Sequence, residues 1–136
     1  MDDHSRVAYV EVLTDQLGPT CAAFLQRAVA WFRSRGIRVR RVLSDNGSGD
    51  VSGAFRTVCD RLPVRHRRTR AYTPRTNGKA ERFIQTLLRE WAYAIAYATS
   101  RDRGRALTRF LAYYNRRRPH ASLKYEPPWS RLRSVA

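Results

Sequence analysis

The stretch whose reading decides the fold is YTPRTNGKAERF, residues 72–83. It runs from a loop, punctuated by Pro74 and Asn77-Gly78, into a segment of helical periodicity. Asn77 stands where its side-chain oxygen can accept from the Ala80 N–H and cap the helix. Ala80, Phe83, Ile84, Leu87, Leu88, Trp91 and Ile95 recur at a period that predicts one long helix, about Gly78 to Ala98. Glu81 falls at the end of its first turn, where the helix dipole favours an ionised carboxylate. It lies at the edge of the apolar stripe, so it can face a cleft. Taken alone, it reads first as a dipole-complementing surface residue.

Upstream, Arg6 to Leu13 (RVAYVEVL) is rich in Val and Tyr and predicts a strand. Gly18-Pro19 opens a helix carrying Phe24, Leu25, Ala28, Trp31 and Phe32, with Arg33 and Arg35 in its last turn and Gly36 as a stop. Ile37 to Leu43 predicts a second strand, Ala54 to Arg61 a short helix, and Val64 to Thr69 a third strand. A last helix, about Arg101 to Arg118, carries Leu107, Phe110, Leu111 and Tyr114 inward until Pro119 ends it. Strand alternating with helix is an α/β pattern with a parallel core. Such sheets place their sites at the carboxyl ends of strands, which is where Ser44-Asp45-Asn46-Gly47 stands. Asp-Asn-Gly is also ordinary turn chemistry, so Asp45 alone is a weak signal.

The 136 residues suit one domain, and 43% hydrophobic content with 11% aromatics describes a folded chain, not a basic tail. There are 27 Lys and Arg against 11 Asp and Glu, a net charge of +16. Arg dominates, and its planar fork suits phosphate, so nucleic acid is the expected partner. Cys21 and Cys59 lack metal or disulfide spacing and read as reduced core thiols. The longest apolar run, Trp91 to Ala98, is too short to span a membrane, and no secretory leader precedes it. A cytoplasmic location without membrane association is expected.

Thirty-five residues lie between Asp45 and Glu81. Together with DDHSR, VLSDNGS, YTPRTNGKAERF and YNRRRPHASL, in that order, this spacing resembles the catalytic core of insertion-sequence transposases related to retroviral integrases. The resemblance covers nearly the whole chain. It implies a ribonuclease H-like mixed sheet flanked by helices, spanning residues 1–136, with residues 101–136 as C-terminal helix and tail. It also implies an Asp-Asp-Glu triad in which Asp45 is the second acid and Glu81 the third. These two acids would be both catalytic residues and metal ligands, for DNA cleavage and strand transfer during transposition or integration. In-line attack at a phosphodiester needs an activated hydroxyl and a stabilised leaving oxygen. Two divalent ions roughly 4 Å apart can supply both. Mg²⁺ is expected, or Mn²⁺, because hard cations take carboxylate oxygens.

Around these acids, Arg65, Arg67, Arg68, Arg70, Arg75 and Lys79 form a basic run expected to meet DNA phosphates without reading sequence. Where Arg75 stands, the family more often has Gln. His66 reads as a strand surface residue or backbone contact, not a ligand. Arg116, Arg117 and Arg118 are further phosphate candidates, on a helical segment with seven Arg and one acid between Arg101 and Arg118. Tyr113, Asn115 and His120 read as structural, packing the helix or bonding loop backbone.

The family carries its first acid in a Trp-x-Asp-x-Thr-like context, and none occurs here. DDHSR corresponds to the turn before the third strand of that fold. Asp2 and Asp3 therefore read as turn residues bonding Ser5 and Arg6. The expectation is a core lacking its first two strands, with an exposed edge beside Ile37 to Leu43. Such a chain would bind DNA in a salt-sensitive way without transferring strands. A longer protein would act as a homo-oligomer. Two alternatives stand beside this one: a non-catalytic basic DNA-binding protein built on the same scaffold, and a ribonuclease H-like nuclease acting on hybrids.

Overall fold

A computed structural model describes residues 1–44, 52–68 and 78–133. The chain divides into two compact units, Glu11–Gly78 and Met1–Val10 with Lys79–Ala136.

In the first of these, helix α1 (Gly18–Ser34) begins with Pro at its first turn, where no N–H partner is needed. It buries Ala22, Leu25, Ala28, Val29 and Phe32. Phe24 and Trp31, expected on this face, are half-buried beside it. The helix stops as expected. Gly36 takes φ +80°, its N–H bonds the Arg33 carbonyl at 3.0 Å, and the Ile37 N–H bonds the Phe32 carbonyl at 2.9 Å. This paired closure needs a left-handed residue, which only Gly adopts without a Cβ penalty. Helix α2 (Gly53–Arg61) is capped by the Ser52 hydroxyl, which accepts from the Phe55 N–H at 3.2 Å. Its Phe55, Val58 and Cys59 pack with Ala22, Leu25 and Val29 of α1, and Cys21, Val39 and Val42 close the cluster. Both thiols thus belong to the core, and burial pushes the Cys59 thiol up.

Strands β1 (Arg41–Ser44) and β2 (Arg65–Arg68) pair in parallel, Arg41 opposite Arg65 and Ser44 opposite Arg68. Strand β1 is shorter than the expected Ile37 to Leu43, because the ladder begins only where β2 can reach it. The Arg65 N–H to Arg40 carbonyl bond, 3.0 Å, is its first rung. Alternation sorts the two faces: Val42, Ser44 and His66 are half-buried, whereas Arg41, Leu43, Arg65 and Arg67 are exposed.

In the second unit, helix α3 (Gly78–Leu87) starts where the sequence predicts but does not run to Ala98. It widens into a π-helical turn over Leu88–Ala92 and ends. The Tyr93 N–H bonds the Leu88 carbonyl five residues back at 2.9 Å, and the Tyr97 hydroxyl donates to the Trp91 carbonyl at 2.7 Å. Side chain has replaced backbone as the partner of the last turn. The apolar stripe divides accordingly. Phe83 and Trp91 are buried with Leu87 against them, while Ile84, Leu88 and Ile95 are exposed within this unit.

Helix α4 (Ser100–Arg116), capped by the Thr99 hydroxyl, brings Leu107, Phe110 and Tyr114 into the same cluster. After it come a 3₁₀ turn (Ala121–Leu123) and helix α5 (Ser130–Arg133). Tyr113, expected to pack, is exposed. The expected strand over Arg6 to Leu13 is absent. Among the described residues no strand pairs with this segment. Instead the Ala8 N–H and carbonyl are both taken by the buried Asn115 amide, at 2.8 and 2.9 Å. A side-chain amide has taken the place of a neighbouring strand.

Candidate nucleic-acid interface and carboxylate site

Asp45 lies outside the described residues, as do Arg70, Arg75 and Asn77 with its expected cap. Ser44, the residue before Asp45, ends β1 and meets the His66 Nε2 through its hydroxyl at 2.6 Å. The His66 ring rests on Phe55, centroids 4.8 Å apart. His66, a half-buried strand residue, thus makes a side-chain contact that the sequence did not foresee. It binds the side chain adjoining the candidate acid.

Glu81 sits in the first turn of α3 and is exposed. Two residues earlier, Lys79 meets Asp3, Nζ to Oδ1 2.7 Å, and this hydrogen bond holds the Asp3 carboxyl below its ordinary range. Asp2 closes its own turn, accepting from the Ser5 N–H at 2.9 Å and from the Ser5 hydroxyl. The expectation that Asp2 and Asp3 serve a local turn thus holds for Asp2, while Asp3 also engages Lys79. Among the described residues no three His, Cys, Asp or Glu side chains gather as a metal cluster.

The basic candidates differ in how they are held. Arg65, Arg67 and Arg68 project from β2 and are exposed. Arg41 and Leu43 stand opposite Arg65 and Arg67, so Arg41 joins their face. Sequence reasoning missed Arg41, although the alternation in RVRRVL carried the signal. Arg117 is exposed, and Arg116 lies over the Trp129 ring at 5.3 Å. Arg118 is held by contacts within the chain. Its Nε meets Glu90 at 2.8 Å and its guanidinium lies 5.9 Å from the Tyr114 ring centroid. On α4, Arg105 and Arg109 line a shallow hollow of about 290 Å³ with Asp102 and residues 95–98.

The structural reading of Asn115 and His120 holds in different ways. Asn115 clamps Ala8, and its backbone carbonyl accepts from the Trp129 N–H at 2.7 Å. His120 bonds the Ser122 hydroxyl at 2.8 Å and stands edge-on to Tyr114, centroids 6.4 Å apart. Burial, and then the charges of Arg6, Arg118 and Arg82, hold its pKa below the usual histidine value.

Residues 1–74 match the family model of the integrase core domain, and residues 62–128 match a second model with the same description. The chain belongs to the integrase core domain family. An integrase core relative in Escherichia coli, the transposase InsD for insertion element IS2, is 29% identical over 94 residues, which cover 69% of this chain and 31% of that protein. An uncharacterized Caenorhabditis elegans protein, K02A2.6, is 34% identical over 87 residues, 64% of this chain and 7% of its own length. The chain thus spans less than a third of either relative.

The catalytic core domain of BIV integrase superposes with a TM-score of 0.72 at 17% identity, covering 96% of this chain and 80% of that one. A simian T-cell lymphotropic virus intasome, solved in complex with PP2A regulatory subunit B56 gamma, gives 0.67 at 22% identity over 85% of this chain and 40% of that one. The integrase-core fold, with its ribonuclease H-like mixed architecture, is shared. Among the described residues its sheet consists of the two parallel strands β1 and β2.

Proposed function

We propose that this chain is part of a transposase core that acts on DNA phosphodiesters, with Asp45 and Glu81 as two of its acids. The observation that carries this reading is the pair of integrase-core matches, which run in order along the chain. Asp45 falls within the first and Glu81 within the second. Glu81 suits a divalent ion: an exposed hard carboxylate at a helix N-terminus, without an ion pair among the described residues. With Asp45 it would hold Mg²⁺ or Mn²⁺, two ions in a complete site, whose chemistry when bound is activation of the attacking hydroxyl and stabilisation of the leaving oxygen. Arg65, Arg67, Arg68, Arg70, Arg75, Lys79, Arg116, Arg117 and Arg118 hold and orient the DNA backbone. The substrate is mobile-element ends and target DNA, met in the cytoplasm by a homo-oligomer of the longer protein.

A second reading is favoured by the carboxylates themselves. Asp2 bonds Ser5 and Asp3 pairs with Lys79, so both make local contacts and neither stands in the context of the family's first acid. On that ground the 136-residue chain binds DNA but does not itself transfer strands. The test combines DNA binding, Mg²⁺ binding and strand transfer for the chain and for Asp45→Ala and Glu81→Ala. Expected are salt-sensitive binding, no strand transfer, and weaker Mg²⁺ binding in both variants. Robust Mg²⁺-dependent cleavage by the chain, abolished by Asp45→Asn, would overturn the inactivity. Variants that alter neither Mg²⁺ binding nor any DNA-dependent property would leave a non-catalytic DNA-binding module.

A further inference from the structure

The β1–β2 ladder is covered on one side. Val42 packs with the cluster of α1 and α2, and the His66 ring rests on Phe55 of α2. The opposite face carries Arg41 and Leu43 of β1 in register with Arg65 and Arg67 of β2, and all four are exposed. Parallel sheets are ordinarily covered on both faces and carry runs of Val and Ile there. Three guanidinium groups would be desolvated at high cost beneath a packed helix, so this face suits water or a charged partner.

Its charge is not balanced from within the unit. Among the described residues the ion pairs are Arg27–Glu11, Lys79–Asp3 and Arg118–Glu90, and none includes these three arginines. The unit's described acids are Glu11, which holds Arg27, Asp15, which accepts from the Leu17 N–H, and Asp60 of α2. Asp45 and Asp50 lie outside the described residues. Arg41 stands directly opposite Arg65, and like charges so placed destabilise a ladder. An anion between them turns that repulsion into a shared attraction.

We propose that this face seats two successive phosphates of one DNA strand, Arg41 with Arg65 on the first and Arg67 on the next. The inference rests on the proposed function and adds Arg41 to its phosphate contacts. Paired strands lie about 4.8 Å apart, so the Arg41 and Arg65 side chains can converge on one phosphate. Arg65 and Arg67 stand two residues apart on one strand, about 6–7 Å, close to the spacing of successive phosphates along a nucleic-acid backbone. Planar guanidinium forks match the oxygens of each phosphate.

The test is the salt dependence of duplex DNA binding by the chain, read by fluorescence anisotropy, with circular dichroism to confirm that each variant folds. Arg67→Gln should lower the slope of log K against log salt by about one. Arg41→Gln combined with Arg65→Gln should lower it by about one and not two, because the pair shares a phosphate. Arg41→Lys should keep the parent slope. So should Arg56→Gln, an equal change of charge at an exposed position of α2. Should the double variant fail to fold, Arg67→Gln against Arg56→Gln decides whether the face binds. Parent slopes in Arg67→Gln and in the double variant overturn the face and leave the proposed function standing. An equal loss in Arg56→Gln reveals a general effect of charge and likewise overturns it. A loss of about two in the double variant overturns the shared phosphate. A chain that binds no duplex at any salt overturns the proposed function and this face with it.

Discussion

Replacing Asn115 by Ala removes a side chain that hydrogen-bonds Ala8 from the end of α4. Its Oδ1 accepts from the Ala8 N–H at 2.8 Å and its Nδ2 donates to the Ala8 carbonyl at 2.9 Å, with both residues buried. Each hydrogen bond contributes about 1 kcal/mol net, but the larger loss is what remains: a buried N–H and C=O without partners, at roughly 1–3 kcal/mol each. Partial relaxation or entering water reduces this, so Asn115→Ala should destabilise by about 2–5 kcal/mol. For a domain of this size each kcal/mol lowers Tm by about 3–4 °C, so a drop of roughly 10 °C is expected. Urea unfolding followed by circular dichroism would read the change, and amide exchange at Ala8 should accelerate with it. Asn115→Asp is the sharper control. It keeps an acceptor for the N–H but sets a carboxylate against the Ala8 carbonyl, so at neutral pH it should be no better than Ala. At low pH the protonated acid can donate again, and part of the stability should return. If Asn115→Ala costs under about 0.5 kcal/mol, or if Asn115→Asp matches the parent at pH 7, the clamp is not what holds residues 1–10.

Two glycines should answer the same substitution with opposite signs. Gly36→Ala meets nothing within 4 Å, but its φ of +80° should cost about 1 kcal/mol; Gly104→Ala, inside α4 and equally open, should gain a similar amount in thermal unfolding. The Asp3–Lys79 pair makes a pH prediction. The Asp3 carboxyl is held below its unfolded value, chiefly by the Lys79 hydrogen bond. Its contribution is therefore present above the unfolded pKa and lost as pH falls through the folded one. Because Asp3 is 85% exposed, the contribution is under about 1 kcal/mol. Asp3→Asn should remove that acid-side loss from the stability profile, and an identical profile in parent and variant would refute the role.

Local rules were enough for much of the chain. The Pro19 start and Gly36 stop of α1, the short α2, and the span of α4 follow from capping and periodicity, which act over three to five residues. The net charge pointed to nucleic acid, and the order of motifs to the integrase core. Asn115 could be read as structural because a short amide beside buried aromatics commonly bonds backbone. What the sequence could not reveal was its partner, since Ala8 lies 107 residues away.

Tertiary structure decided the rest. RVAYVEVL has the composition of a strand, but a strand exists only when another backbone answers it, and here the Asn115 amide answers Ala8 instead. The stripe from Ala80 to Ile95 is periodic enough for one helix. Its end at Ala92 depends on Tyr97 reaching back to the Trp91 carbonyl. Arg118 looked like any other arginine of a basic run until Glu90, 28 residues earlier, engaged it. Periodicity and charge are written along the chain, but which donor meets which acceptor is settled only when distant segments are brought together.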